Sequence, residues 1–251
     1  MRIKFIIPFP FDEEGIANRA AQIPRDLLGP DTEVECVPVR NSATLVDCYY
    51  EDLVFDMYIA EAGLRAEEEG FDAVIMDTVS DSGLYALRSR LTIPVVGPGL
   101  VSYAVGILLG KRFSIITMWD KWAHLYEKNL AIYDLKQKCA SIRAVNIPPD
   151  VEALFAGKED EIFAKLTDEA QRAIDEDGAD VILLGSTTMH QAGDYMSAHL
   201  SAPVVNPGPV AIKLTETLVQ LGLTHSKVAF PSPSTIIDDR LFSLASAGAA
   251  V

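Results

Sequence analysis

Short apolar runs rich in β-branched residues alternate along the chain with longer segments of helical period. The runs are Ile3 to Ile7, Glu33 to Val39, Asp72 to Met76, Ile93 to Val96, Phe113 to Thr117, Ala140 to Val145, Val181 to Leu184 and Pro203 to Val205. Between them lie amphipathic stretches near Gly15 to Leu28, Leu53 to Glu69, Ser82 to Arg90, Leu100 to Gly110, Trp119 to Tyr133, Glu159 to Asp177, His190 to Leu200 and Val210 to Gly222. Continuous apolar strands separated by helices predict a parallel sheet covered on both faces. The pattern is that of a doubly wound α/β fold.

The pattern also repeats. Gly70-Phe71-Asp72-Ala73-Val74-Ile75-Met76-Asp77-Thr78 returns 108 residues later as Gly178-Ala179-Asp180-Val181-Ile182-Leu183-Leu184-Gly185-Ser186. Pro94-Val95-Val96-Gly97-Pro98-Gly99 returns, shifted by 109, as Pro203-Val204-Val205-Asn206-Pro207-Gly208. A period this long is too large for a solenoid and suits a duplicated domain, so two similar lobes are expected. Open parallel sheets bind ligands at the carboxyl ends of their strands, where helix N-termini present unpaired N–H groups. If the lobes face each other, Thr78 and Ser186 converge on one cleft. The bland alternative is that small hydroxyl residues merely close a strand and cap the next helix.

Composition narrows the partners. The 251 residues hold 36 acidic and 21 basic side chains, a net charge of −15 at pH 7, which disfavours nucleic acid and anionic membrane surfaces. Cys36, Cys48 and Cys139 lack CxxC spacing, and an odd number cannot all pair within the chain, so a reducing compartment is expected. MRIKFIIPFPFDEEG has too short an apolar core for a signal peptide, and prolines and glycines break the run from Leu91 to Leu109. A cytoplasmic location follows as the expectation. Gly97-Pro98-Gly99 is not a dinucleotide fingerprint, and His190 and His199 lack a ligand partner at helical spacing, so neither nucleotide nor metal is expected.

Taken in order, Asp72-Ala73-Val74-Ile75, Ser80-Asp81-Ser82-Gly83-Leu84, Ala86-Leu87-Arg88, Pro94-Val95-Val96-Gly97, Arg112-Phe113-Ser114-Ile115-Ile116-Thr117 and Asp180-Val181-Ile182-Leu183-Leu184-Gly185 resemble the aspartate/glutamate/hydantoin racemase superfamily, most nearly its hydantoin racemase branch. The resemblance covers nearly the whole chain. It implies a cofactor-independent enzyme of two pseudosymmetric α/β lobes with parallel sheets, holding a small carboxylate or cyclic imide in the cleft between them. It also implies a chain that returns to its first lobe near Val210, giving residues 1–99 plus 210–251 as one lobe and 100–209 as the other. In the racemases one cysteine from each lobe flanks the substrate's acidic carbon. Thr78 and Ser186 stand at those two positions here. A thiol ionises near pH 8.5, about seven units below water at about 15.7, so alcohols in these places are poor carbon bases.

The expected catalytic set is Thr78, Ser186 and His190, the last being the base nearest Ser186 in sequence, with a surface or capping role as its alternative. The expected substrate-binding set is Phe9, Phe11, Asp12, Val79, Ser80, Thr117, Trp119, Thr187 and Thr188. Phe9 and Phe11 supply apolar walls, while Asp12 is read either as a base beside them or as a helix cap. Ser80, Thr187 and Thr188 with nearby N–H groups form an anion cradle, and Thr117 is a third strand-end hydroxyl. Trp119 resembles the aromatic pocket position of related decarboxylases or else is a core tryptophan. The leading expectation is a racemase- or epimerase-like isomerase acting next to a carbonyl or carboxylate of a small anionic or cyclic-imide substrate. The alternatives are a lyase of the decarboxylase type or a hydrolase in the same cleft, and a non-catalytic small-anion binder. A homo-oligomer is expected as well.

Overall fold

The computed structural model describes residues 1–148 and 159–247. The chain divides into two compact units, Met1–Pro98 together with the chain from Ala211 onward, and Gly99–Val210. In the first, β1 (Arg2–Ile7), α1 (Glu13–Ala21), β2 (Glu33–Pro38), α2 (Tyr49–Gly63), β3 (Ala73–Met76), α3 (Leu84–Arg90) and β4 (Val95–Val96) alternate, and α4 (Pro98–Leu109) leads onward. In the second, β5 (Phe113–Thr117), α5 (Ala123–Ile132), β6 (Cys139–Ala144), α6 (Glu159–Asp177), β7 (Val181–Leu184), α7 (His190–His199) and β8 (Val204–Val205) follow. Helix α8 (Pro207–Gln220) carries the chain back, and α9 (Asp238–Ala247) ends the described part. No helix among the described residues is long and apolar enough to cross a membrane.

Each unit holds a four-stranded sheet, ordered β2-β1-β3-β4 in the first and β6-β5-β7-β8 in the second, with every neighbour parallel. The two sheets therefore share one topology, as the sequence repeat predicts. Central strands are buried along their whole length: Ile3, Phe5, Ile6, Val74 and Ile75 in one sheet, and Ile115, Ile116, Val181 and Ile182 in the other. That is why these segments read as unbroken apolar runs instead of alternating ones.

The repeated Gly-x-Asp has a mechanical cause. Gly70 (φ 78°) and Gly178 (φ 71°) turn the chain in the left-handed region into β3 and β7. The aspartate two residues on then accepts a backbone N–H at the start of the neighbouring strand. Asp72 Oδ2 lies 2.7 Å from the Arg2 nitrogen, and Asp180 Oδ1 2.9 Å from the Arg112 nitrogen. The arginines reach back to the preceding helix or turn: Arg2 Nη1 donates to the Glu69 carbonyl at 3.0 Å, Arg112 Nη1 to the Asp177 carbonyl at 3.2 Å. Each unit thus staples one strand start to its neighbour.

Element boundaries differ from expectation where local chemistry intervenes. Asp12 caps α1 by accepting from the Gly15 N–H at 2.9 Å, so the helix starts at Glu13, and it stops at Ala21 ahead of Pro24. Helix α2 ends at Gly63 instead of reaching Glu69. A Cβ there would lie 2.7 Å from the Leu87 side chain, so Gly63 is where α2 packs closest. The Pro- and Ser-rich tail, where the pattern of apolar positions marks no element, carries α9, which Arg90 anchors by donating to Asp238 at 2.8 and 3.0 Å.

Glu216 on α8 is 2% exposed and its carboxylate accepts the Gly29 N–H at 2.7 Å while pairing with Lys213. Burial works against the charge, but the bonds from Lys213, Thr32 and Gly29 outweigh it and hold the carboxyl below its usual range. A carboxyl whose folded pKa is depressed adds stability that is complete above the unfolded value of about 4.3 and is lost as pH falls through the folded value. Thermal melting should therefore show wild type above Glu216→Gln at pH 7, with the difference shrinking below about pH 4. A difference independent of pH would refute the charged contact.

Candidate functional site

Strand β3 ends at Met76 and β7 at Leu184, and in each case the second residue beyond the strand is a hydroxyl: Thr78 and Ser186. Both are half-buried. Thr78 Oγ1 lies 2.9 Å from Ser80 Oγ and accepts the Ser80 N–H at 3.3 Å. Ser186 Oγ lies 2.9 Å from Thr188 Oγ1 and accepts the Thr188 N–H at 3.3 Å. The same hydroxyl pair is thus built in both units with the same geometry. In the first unit the chain of hydroxyls continues, because Ser80 Oγ lies 2.8 Å from Ser82 Oγ.

The direction of these bonds decides what the pair can do. When Ser80 donates both its N–H and its O–H to Thr78 Oγ1, the threonine proton is left to point outward, and its donor strength rises because its oxygen is polarised by two donors. The same holds for Ser186 beneath Thr188. Such a group is suited to donating to a carbonyl or enolate oxygen, where charge develops as a neighbouring carbon loses its proton. An alcohol so placed is a far better hydrogen-bond donor than a base.

The remaining predicted residues fall into distinct places. Asp77 N donates to the Ile6 carbonyl at 2.8 Å, so the loop after β1 runs alongside Thr78. That loop carries Phe9 and Phe11, both half-buried, with ring centroids 6.2 Å apart, and Phe9 lies 5.8 Å from Phe55 of α2. Phe11 rests on Gly15, where a Cβ would come within 3.0 Å of it, and the Pro8 carbonyl accepts the Ser42 hydroxyl at 2.6 Å. Asp12 is exposed and caps α1. Val79, Ser80 and Thr187 are buried, and Thr188 is exposed. Thr117 is fully buried and hydrogen-bonds Tyr126 at 2.7 Å. Trp119 is half-buried, edge-on to Trp122 at 6.2 Å, with the Lys121 ammonium 4.8 Å from its ring centroid. His190 begins α7, and its side chain lies outside the described residues.

Three residues around these strand ends were not singled out by the sequence for this role. Arg19 Nε and Nη2 donate to the two carboxylate oxygens of Asp77 at 2.6 and 2.8 Å, with the arginine 5% and the aspartate 4% exposed. Burial opposes the guanidinium charge, but Asp77's charge and hydrogen bonds prevail and raise it above its ordinary value. Tyr126 of α5 is the third: it donates to the Gly185 carbonyl at 2.7 Å, and its burial pushes the phenol well above its usual range. One signal for Arg19 was readable, since it stands three residues after Ile16 on α1 and four before the buried Ile23 just past its end. None of the cysteines stands at a strand-end position. Burial pushes the thiols of Cys36 and Cys139 up to about 11, so neither is a ready thiolate at neutral pH. Among the described residues no group of three or more His, Cys, Asp or Glu side chains is placed to hold a metal ion.

Comparison with known proteins fits this architecture. A family model described as Asp/Glu/Hydantoin racemase matches residues 16–215. The chain is 28% identical over 215 residues to a hydantoin racemase of Pseudomonas sp. (strain NS671), covering 86% of this chain and 84% of that one. The structure superposes on allantoin racemase from Klebsiella pneumoniae with a TM-score of 0.83 and 27% identity, covering 94% and 95% of the two chains. Arylmalonate decarboxylase shares the fold at a TM-score of 0.61 and 20% identity, over 87% and 92% of the chains. With parallel sheets of one order in both units and a family match over most of its length, the chain belongs to the Asp/Glu/hydantoin racemase family of enzymes.

Proposed function

We propose that the enzyme is an isomerase that exchanges the proton on the carbon next to a carbonyl of a small cyclic imide, with Thr78 and Ser186 donating hydrogen bonds to the oxygens that gain charge. The observation that carries this reading is the duplicated hydroxyl pair, Thr78 with Ser80 and Ser186 with Thr188, each at 2.9 Å and each beneath a backbone N–H. The hydantoin and allantoin racemases that this chain is similar to are named for cyclic ureides, whose ring carbonyls are acceptors for such donors. The buried Val79, Ser80 and Thr187 next to the two hydroxyls add a second argument. A neutral donor fixed in a low-dielectric site needs no reorganisation when the enolate forms.

The proton itself requires a base with a pKa near neutrality, and the hydroxyls do not supply one. His190 has that chemistry, and it opens α7 four residues after Ser186. It stands 108 residues after Ser82, the end of the hydroxyl chain in the first unit, so the repeat places an ionisable group where the first unit has an alcohol. We assign it the role of base. Phe9 and Phe11, paired on the loop after β1, supply the apolar wall that shields the enolate from water in this reading.

Incubating single enantiomers of 5-substituted hydantoins in deuterated water tests the assignment. Proton NMR should show loss of the signal at the acidic carbon together with loss of optical rotation and no change of skeleton. A new product instead would mean a lyase or a hydrolase. Exchange that appears only after Thr78→Cys and Ser186→Cys are combined would show that the natural chain is not an isomerase.

Removing one donor should slow exchange without abolishing binding. Thr78→Val and Ser186→Ala are each expected to lower kcat roughly 10²- to 10³-fold, as loss of a single oxyanion donor does. KM should change little. A drop confined to KM would make the hydroxyls binding groups only. His190→Gln should lower kcat at least as far as loss of one donor does, because the proton then has no base to receive it.

A further inference from the structure

Thr78 and Ser186 each follow a residue that is pinned by the helix behind the central strand of its own unit. β1 and β5 hold the same place in their sheets, and α1 and α5 are the helices that follow them. From α1, Arg19 grips the side chain of Asp77 through two parallel bonds of 2.6 and 2.8 Å. From α5, Tyr126 grips the backbone carbonyl of Gly185 at 2.7 Å. Its single proton is committed there, so Thr117 donates to the phenol oxygen at 2.7 Å. Asp77 and Gly185 are related by the repeat interval of 108 residues, and each immediately precedes a strand-end hydroxyl.

We propose that Arg19 and Tyr126 are the positioning residues of the two hydroxyl pairs, an ion pair to a side chain doing in the first unit what a neutral phenol bonded to the backbone does in the second. The inference rests on the reading of Thr78 and Ser186 as working groups.

Stability alone is a poor reason for the Arg19–Asp77 pair. Two charges taken from water recover little from their attraction, and apolar replacements of similar volume are often neutral or stabilising. What the pair adds is direction. The planar guanidinium fork fixes the carboxylate in position and in rotation, while the Asp77 N–H is held by the Ile6 carbonyl at 2.8 Å. Thr78 follows Asp77 directly, so an Asp77 whose side chain is tied to α1 and whose N–H is tied to β1 leaves the Thr78 backbone little freedom to turn. The guanidinium also lies 5.2 Å from the Phe5 ring centroid, which limits its own movement.

In the second unit the same end is reached with the opposite residue type. A Cβ on Gly185 would lie 2.8 Å from both Thr117 Cβ and Tyr126 Oη, and 3.0 Å from the Ile116 carbonyl. The phenol can approach the backbone only because no side chain stands there. Asp with Arg and Gly with Tyr are therefore two complementary solutions, and neither pin fits the other unit's partner.

The experiment separates positioning from folding by watching threonine methyl groups. ¹³C-methyl NMR order parameters of Thr78 and Thr188 are measured in wild type, in Tyr126→Phe, in Arg19→Lys and in the apolar double variant Arg19→Met/Asp77→Leu, alongside thermal melting and the deuterium exchange kinetics. The double variant should keep its melting temperature while the Thr78 methyl loses order and kcat falls roughly 10- to 100-fold, the range set by small misplacements of a reacting group. KM should stay within about twofold, since only transition-state interactions are lost. Arg19→Lys should recover part of the kcat. Tyr126→Phe should loosen Thr188 and leave Thr78 as it was.

Unchanged order at both methyls in folded variants would overturn the proposal. So would equal loosening of both methyls by either variant, which is general softening. If the double variant does not fold, Tyr126→Phe and Arg19→Lys decide the matter by the same readouts. A wild type without exchange activity would strike the isomerase reading, while the methyl data would still settle whether the two residues position the hydroxyls.

Discussion

Parallel pairing of each unit's first strand with its third, β1 with β3 and β5 with β7, is the constraint on which the rest of this molecule depends. A parallel ladder cannot be closed by a tight turn, so every strand is followed by a helix, and all strands finish at the same edge of the sheet. Two residues past those ends the chain has left the ladder, and its hydroxyls turn to bond one another. Thr78 and Ser186 stand at that point. Their chemistry is a consequence of where a buried strand must stop.

With an alcohol at the strand end, where the resemblance implies a thiol, the electrostatics expected there change character. A thiolate brings its own negative charge, whereas a hydroxyl beneath an N–H and a second hydroxyl offers an oriented dipole. Such a dipole adds no buried charge to a chain whose net charge is already −15. The buried ion pair beside Thr78, Arg19 with Asp77, is internally compensated.

The two units are duplicates in topology and not in detail, and the differences compensate one another. Gly97 leaves room for the Asp81 carboxylate, which a Cβ would strike, while in the second unit Asn206 replaces that glycine and its amide occupies the space left by Gly193. In each unit a glycine makes room for a bulkier polar group. Asp77 with Arg19 against Gly185 with Tyr126 follows the same logic. Dense packing permits such divergence only in matched pairs, because a change of volume on one side needs an answering change on the other.

The sequence by itself determined the class of fold, the repeat and the strand ends. Phe113–Thr117 and Val181–Leu184 were read to the residue, because strands buried on both faces leave an unbroken apolar run between polar turns. Helix α2 was read too long, to Glu69 instead of Gly63, and the tail's helix was not read at all, since Arg90 anchors it from a distant segment. The hydroxyl pairs were half legible: Thr78, Ser80, Ser186 and Thr188 could be named, but their mutual bonds depend on how the chain turns after the strand. Arg19 with Asp77 and Tyr126 with Gly185 are 58 and 59 residues apart, and only tertiary structure decided those pairings. Periodicity reports which face of an element is buried, whereas a partner across the core is chosen by three-dimensional proximity that no local pattern encodes.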